Sequence, residues 1–350
     1  MKNLTRFILA LLLIMAMGSV NAQSTLYVPG DYATIQAAIN AATSGDIIEV
    51  DAGNYAENVN INKSLTVRGP NYLLKGNDGG RGNEAVIVGN VKISKADVNL
   101  EGFTVQTGDN KRAIDISVGS GVLIQNNIID GLTTSTNAAI WYGGATGITH
   151  IEGNLIQNFT SQGWKIMFDG NDNSEIYFIN NELANMYSGI IFQGSMENSV
   201  GEVKDNLIYT TGWPAIALGA SSKLVSGNEF TGTGIYITGS ANPAHDRGNN
   251  NIITHNIFTG NGYYINVDNA PHTGNKVNYN AFLGTGYYKV RNGHDGSNLD
   301  ATCNWYGTPH EAEIKAKIQG DVKYFPYKTD AGPDSCLQPS FKLKIKKSNP

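Results

Sequence analysis

One short motif, asparagine followed by any residue and then an apolar one, returns along this chain at a nearly constant pace. It occurs as Asn127-Ile128-Ile129, Asn154-Leu155-Ile156, Asn181-Glu182-Leu183 and Asn206-Leu207-Ile208. It continues as Asn228-Glu229-Phe230, Asn256-Ile257-Phe258, Asn280-Ala281-Phe282 and Asn304-Trp305-Tyr306. The steps between these asparagines are 27, 27, 25, 22, 28, 24 and 24 residues. A second landmark keeps the same pace: Gly189-Ile190-Ile191-Phe192, Ala215-Ile216-Ala217-Leu218 and Gly234-Ile235-Tyr236-Ile237. Each repeat holds two or three short apolar strands separated by Gly, Asn and Ser turns. Helical repeats need longer segments of 3.6-residue period, which these units lack. The pattern predicts an all-β chain, a right-handed parallel β-helix solenoid of about ten coils, with strands stacked about 4.8 Å apart.

No coil of such a stack buries its inner face alone, so the core becomes continuous only when coils stack. The asparagines are expected inside, their amides bonding up and down the stack as a ladder. Both ends expose sheet edges, so covers are expected. At the N-terminal end, residues 33–42 read as a short helix with Asp31 as cap and Ile35, Ala38 and Ile39 on one face. At the C-terminal end, Thr308-Pro309-His310-Glu311 is a capping-box pattern. Ile314 and Ile318 supply its apolar face, and Gly320 stops it.

The segments outside the solenoid carry their own signals. Lys2 and Arg6, the apolar run Phe7 to Met15 and the small-residue site Val20-Asn21-Ala22 read as a signal peptide over residues 1–22. The expected domain is residues 23–327, with 328–350 as a tail or linker that includes Lys342, Lys344, Lys346 and Lys347. No later stretch is apolar enough to span a bilayer, so the expected location is secreted or at an extracellular surface, with the periplasm as an alternative. Cys303 and Cys336 are the two cysteines, and in an exported chain they are expected to pair as a disulfide. The formal charge of −5 becomes −7 once Lys2 and Arg6 are removed, against the basic face that nucleic acid requires.

Two stretches resemble a known group. Thr34-Ile35-Gln36-Ala37-Ala38-Ile39, Gly45-Asp46-Ile47-Ile48-Glu49-Val50 and Gly53-Asn54-Tyr55-Ala56-Glu57-Asn58-Val59 resemble the opening of secreted right-handed parallel β-helix proteins. These are the pectin-lyase-like superfamily, with carbohydrate-binding and sugar-hydrolysis repeats. Leu299-Asp300-Ala301-Thr302-Cys303-Asn304-Trp305-Tyr306-Gly307 looks like the last coil of that group. The resemblance implies a polysaccharide or cell-surface glycan as partner. It does not imply one chemistry, because the superfamily includes lyases, hydrolases, esterases and non-catalytic surface proteins. The Gln-Asp-Thr and Phe-Ile-Phe-Gly type motifs of pectin methylesterases are not found here, nor is the Asn-Thr-Asp and Asp-Asp cluster of polygalacturonases.

Three constellations are candidates for function. His245-Asp246-Arg247, His272-Thr273-Gly274 and His294-Asp295-Gly296 lie in equivalent turns, their histidines 27 and 22 residues apart. Stacked in a column, they read as ligands of a transition metal, assisted by Asp246 or Asp295. They also read as the base of a uronic-acid β-elimination, with Arg247, Lys289 and Arg291 as cations for the carboxylate. The third reading is repeated turn residues in solvent. Trp164, Trp213, Tyr263 and Tyr287 each follow a glycine at a strand entry, and alternation points Trp141 and Tyr236 outward. Such an edge suits either sugar rings or packing between coils. Asp169, Asn171, Asn173 and Glu175 place oxygens at alternate positions, suiting Ca²⁺ or a plain polar turn. Lys165 and Asp115 are further acid-base candidates, and no pair of carboxylates stands out for glycoside hydrolysis.

These readings give a secreted polysaccharide-active protein with uronate β-elimination as its preferred reaction. The alternatives are a non-catalytic adhesive or sugar-binding solenoid and an extracytoplasmic metal-binding accessory protein.

Overall fold

The structure, a computed structural model, describes residues 23–107, 111–132, 137–193, 196, 199–209, 212, 214–239, 248–268, 270–294, 296–331 and 336. Residues 1–22, read as a signal peptide, most of residues 328–350, Trp213, His245, Asp246, Arg247 and Asp295 lie outside the described residues. Each coil runs through three short strands that feed three parallel sheets in turn. One coil shows the plan: Gly147–Glu152 enters the first sheet, Leu155–Phe159 the second and Ile166–Asp169 the third. Ser174–Ile179 then lands on Gly147–Glu152 in parallel register. The first sheet holds thirteen strands, the second ten and the third eleven, among the described residues. The chain is a right-handed parallel β-helix of about eleven turns, close to the ten expected.

The repeated asparagines line the inner corner between the first and second sheets. From Asn127 to Asn304 each is at most 1% exposed. From Asn154 onward each Oδ1 accepts from the backbone N–H of the asparagine one coil earlier, at 2.7–3.0 Å. The same oxygen accepts from that residue's Nδ2 at 2.8–3.1 Å. Each Nδ2 also donates to a first-sheet carbonyl, as Asn206 does to Phe178 at 3.0 Å. The residue before each rung takes a positive φ, including Asn180 (56°), His255 (57°), Tyr279 (60°) and Cys303 (60°). That conformation is unfavourable for a bulky side chain, and the ladder's fixed bonds hold it.

The apolar member of the same motif builds the core. Phe230, Phe258, Phe282 and Tyr306 follow one another up the stack with ring centroids 4.7, 5.2 and 5.4 Å apart. Outside the corner, residues 70–84 make a strap across several coils. Gly76 N–H donates to Gly153 O, and Arg81 donates to Leu74 O and Asn126 O while pairing with Glu84.

Both caps exist, with different ends from those expected. The N-terminal helix α1 spans Ile35–Ala41, and its N-cap is Thr34, whose Oγ1 accepts from Ala37 N–H at 3.1 Å. Asp31 instead accepts from Tyr27 N–H. The first-turn N–H groups of Ile35 and Gln36 are taken by the Glu57 carboxylate from the next coil, at 2.9 Å each. Replacing Glu57 with alanine is expected to cost about 1–2 kcal/mol, the scale of a lost cap, as a lower urea midpoint. An unchanged midpoint would show that water replaces the carboxylate. The C-terminal helix α2 spans Glu311–Lys315 with His310 as N-cap and no side-chain capping bond, so the capping box does not form. Thr308 Oγ1 accepts from His310 N–H instead. Ile314 is buried beneath α2, and Ile318 begins the last strand of the third sheet. Cys303 and Cys336 form the expected disulfide, tying residue 336 to the last coil.

Candidate functional site

The outer face of the third sheet gathers most of the aromatic and cationic candidates. Register runs one outward column from Asp115 through Trp141, Met167, Ile191, Ala217, Tyr236 and Asn266 to Arg291. Trp141 and Tyr236 point outward because Ile140, Tyr142, Ile235 and Ile237 are fully buried. Mid-column, Ile191 is only 8% exposed and Ala217 is buried although both face out, so the open surface lies toward the two ends.

At the C-terminal end, Tyr263, Asn266, Tyr288 and Arg291 line a cavity of about 360 Å³. Arg291 donates through Nη1 to Asn266 Oδ1 at 2.9 Å and through Nε to Gln319 Oε1 at 3.0 Å. These bonds hold the guanidinium across the column. Tyr287 meets Tyr288 edge-on at 4.8 Å, and Tyr263 lies 6.4 Å from each. Tyr287 is 69% exposed and Tyr263 44%. At the N-terminal end, Asn58, Asn90, Lys111, Arg112, Asp115 and Asn137 line a polar cavity of about 540 Å³. Arg112 pairs with Asp115 at 3.0 Å and lies 3.8 Å over the Trp141 ring. Trp164 is half-buried at the strand entry between these ends.

The cationic and histidine candidates divide. Lys289 is 5% exposed and turned inward, where its Nζ donates to Phe282 O at 3.2 Å and to Gly284 O and lies 5.2 Å over the Tyr264 ring. Burial, with Lys317 nearby, pushes its amine down to about 8. Lys165 is fully buried too, donating to Ser161 Oγ at 2.8 Å, and burial lowers its pKa. Both precede their strands at a corner, so outward readings for them give way to inward ones. His272 is buried as well; its Nε2–H donates to Asp268 at 2.6 Å. Burial pushes the Asp268 carboxyl up, but bonds from His272, Gly239 N–H and Ala270 N–H outweigh it and hold the group well below the usual range. His272 thus braces the turn after the third sheet. His294 is half-buried in the next such turn. Among the described residues no three His, Cys, Asp or Glu side chains are grouped to hold a metal.

The residues read for calcium spread over a corner. Asp169 ends a third-sheet strand and Glu175 faces out from the first sheet, 3.3 Å from the Tyr177 hydroxyl. Between them Asn171 Oδ1 accepts from Asn173 N–H, and Ser174 Oγ accepts from Asn171 N–H, closing the turn.

Sequence reasoning missed Asn266, Tyr288, Lys111 and Arg112. Counting one coil back from Arg291 reaches Asn266, but only once the cross-coil register is known. Among known proteins, the chain matches no family model, no curated protein and no solved structure. Among the described residues no helix is long and apolar enough to cross a membrane.

Proposed function

We propose that the chain is an exported glycan-binding solenoid that holds an acidic polysaccharide along the outer face of its third sheet. The observation that carries this reading is the Tyr263–Asn266–Tyr288–Arg291 cavity, where an oriented guanidinium sits beside the exposed Tyr263 and the half-buried Tyr288. A uronate carboxylate is a natural partner for a fixed guanidinium, and tyrosine faces suit the C–H face of a sugar ring. The Lys111–Arg112 cavity offers a second cationic contact on the same face, with Arg112 shared with Asp115. Seven coil steps separate Asp115 from Arg291, on the order of 34 Å at strand spacing, so a polysaccharide touching both ends would pass over the buried middle of the column at Ile191 and Ala217. Lys289 and His272, two groups assigned to the elimination chemistry, are inward and bonded, which favours binding over catalysis. The likeness of the opening and closing coils to secreted pectin-lyase-like proteins supports the same substrate class and export.

The test is calorimetric titration of the purified chain with polygalacturonate and alginate oligomers, with dextran oligomers as the neutral control. Binding to a uronate polymer is expected, weakened about ten-fold or more in Arg291→Ala, the scale of one charge-assisted hydrogen bond. Tyr263→Ala is expected to act in the same direction. No uronate binding, or equal binding of dextran, would sink the proposal. A rise in unsaturated-uronate absorbance during the titration would make the protein a lyase instead.

A further inference from the structure

The outer face of the first sheet carries a second cavity, of opposite chemistry. Register sets Leu123, His150, Tyr177 and Glu202 in one outward column. Ile148 and Glu175 flank that column on one side, Gln125 and Glu152 on the other. The His150 and Tyr177 rings stack at 4.7 Å and 14°, and each has a carboxylate on its polar atom. His150 Nδ1 is 3.0 Å from Glu152 Oε1, and the Tyr177 hydroxyl donates to Glu175 Oε2.

A cavity of about 600 Å³ opens on the side of His150 away from Tyr177, lined among others by Asp97, Gly121, Leu123, Ile148 and Glu152. Position 121 is a glycine at φ +67°, and a Cβ there would lie 2.2 Å from Asp97 Oδ1, so any side chain would have to displace that carboxylate. The missing side chain leaves a gap in the lattice between Asp97 and Ile148. Ile148 is left 43% exposed at its edge. Apolar and ring surface thus forms the floor, and carboxylates stand at its margin. Two lysines stand near the Glu152 end: Lys75 of the strap, whose Cγ would lie 3.3 Å from a Cβ on Gly153, and Lys204, two coils on along the column and 3.9 Å from its own partner, Asp205.

We infer that this cavity is a second glycan site, selective for a protonated amino sugar. The ring's C–H face lies on Ile148, Leu123 and the imidazole, whose orientation the Tyr177 stack fixes. The ammonium pairs with Glu152 at one end of the cavity, and Asp97, on the opposite flank, accepts a hydroxyl of the neighbouring sugar. A neutral sugar gains the floor but desolvates carboxylates without a counter-charge, which is unfavourable. An acidic sugar is repelled. The site lies on a different sheet from Arg291 and does not depend on that pocket's reading. Together the two faces would let one chain bridge a polycationic and a polyanionic glycan.

Titration of the purified chain near neutral pH with a glucosamine tetramer, its fully N-acetylated counterpart and pentalysine tests this. The free-amine tetramer is expected to bind about ten-fold or more tighter than the acetylated one, the scale of one charge-assisted contact. Ile148→Arg, a substitution at an exposed position that puts a cation into the cavity, is expected to abolish binding with an unchanged melting temperature. Glu152→Gln should weaken it about ten-fold, and Arg291→Ala should leave it unchanged. Equal affinity for the two tetramers, full binding by Ile148→Arg, or pentalysine binding as tightly as the sugar would each overturn the inference.

Discussion

Asn206→Leu is expected to destabilise the solenoid by about 3–5 kcal/mol, because one mid-ladder amide satisfies several buried groups at once. Its Oδ1 accepts from Asn181 N–H at 2.7 Å and from Asn181 Nδ2 at 3.1 Å. Its Nδ2 donates to Phe178 O, Lys204 O and Asn228 Oδ1. Leucine matches the volume but leaves these partners buried and unpaired, at about 1–3 kcal/mol for each one that water cannot reach. Asn60→Ala, at an exposed position, is expected to change stability by less than about 1 kcal/mol. Asn206→Asp separates the two halves of the amide. A neutral carboxylic acid both accepts and donates, whereas a buried carboxylate cannot donate and carries an unpaired charge. Its folded-state pKa should therefore exceed the unfolded value of about 3.9. The variant should then lie closest to wild type below that value and lose stability as pH rises through the folded-state value. Urea midpoints at acid and neutral pH, with hydrogen exchange at the Asn181 amide, read both effects. A Leu variant within 1 kcal/mol of wild type would mean, on the scale of one hydrogen bond, that the ladder adds little.

That ladder is also why the fold was legible in the sequence. A buried asparagine one coil apart is a constraint of residue type at a near-fixed step, so it survives coil lengths from 22 to 28 residues. The coil count fell slightly short because the first turns do not use the motif. Phe103 fills the rung before Asn127, donating its N–H to Asn127 Oδ1, and no asparagine marks it. Cap positions were legible and their first residues were not: Asp31 and Thr34 are both local cap candidates, Thr34 takes the role, and the Glu57 carboxylate from the next coil, which no local pattern reveals, takes two more first-turn N–H groups. The same limit applies to the surface. Period-two alternation turned Trp141 and Tyr236 outward correctly, because both sit mid-strand. It is silent on Lys165 and Lys289, which sit at corners where the backbone turns. The histidine spacing matched a coil, yet His272 folds back on Asp268 four residues earlier. Matching spacing places residues in one column without saying which way they point. The His150–Tyr177 stack went unread for a related reason, since the 27-residue offset that pairs them becomes informative only with the register in hand.

Lys289 carries a pH signature that separates a buried structural amine from a surface cation serving substrate. Its amine falls to about 8 through burial and the nearby Lys317, against 10.5 in the ordinary case. An unfolded chain keeps the proton up to about 10.5, so between 8 and 10.5 the unfolded state binds more protons and stability rises with pH. Below 8 both states are charged and the folded state bears the full penalty, about 3 kcal/mol; above 10.5 both are neutral and it vanishes. Lys289→Met keeps the length of the chain without the charge. The stability of wild type minus that of Lys289→Met should therefore climb by about 3 kcal/mol from pH 7 to pH 11, while tyrosine ionisation, common to both, cancels. The absolute offset is smaller and harder to assign, because methionine also leaves Phe282 O and Gly284 O without their donor. A flat difference across that range would mean that water reaches the amine. Uronate binding gives the second readout. If Lys289 serves only the coil interior, Lys289→Met should keep the affinity that Arg291→Ala loses, since the cavity above is lined by Tyr263, Asn266, Tyr288 and Arg291 alone among the described residues. A comparable loss in both variants would restore Lys289 to the binding face and with it the case for chemistry there.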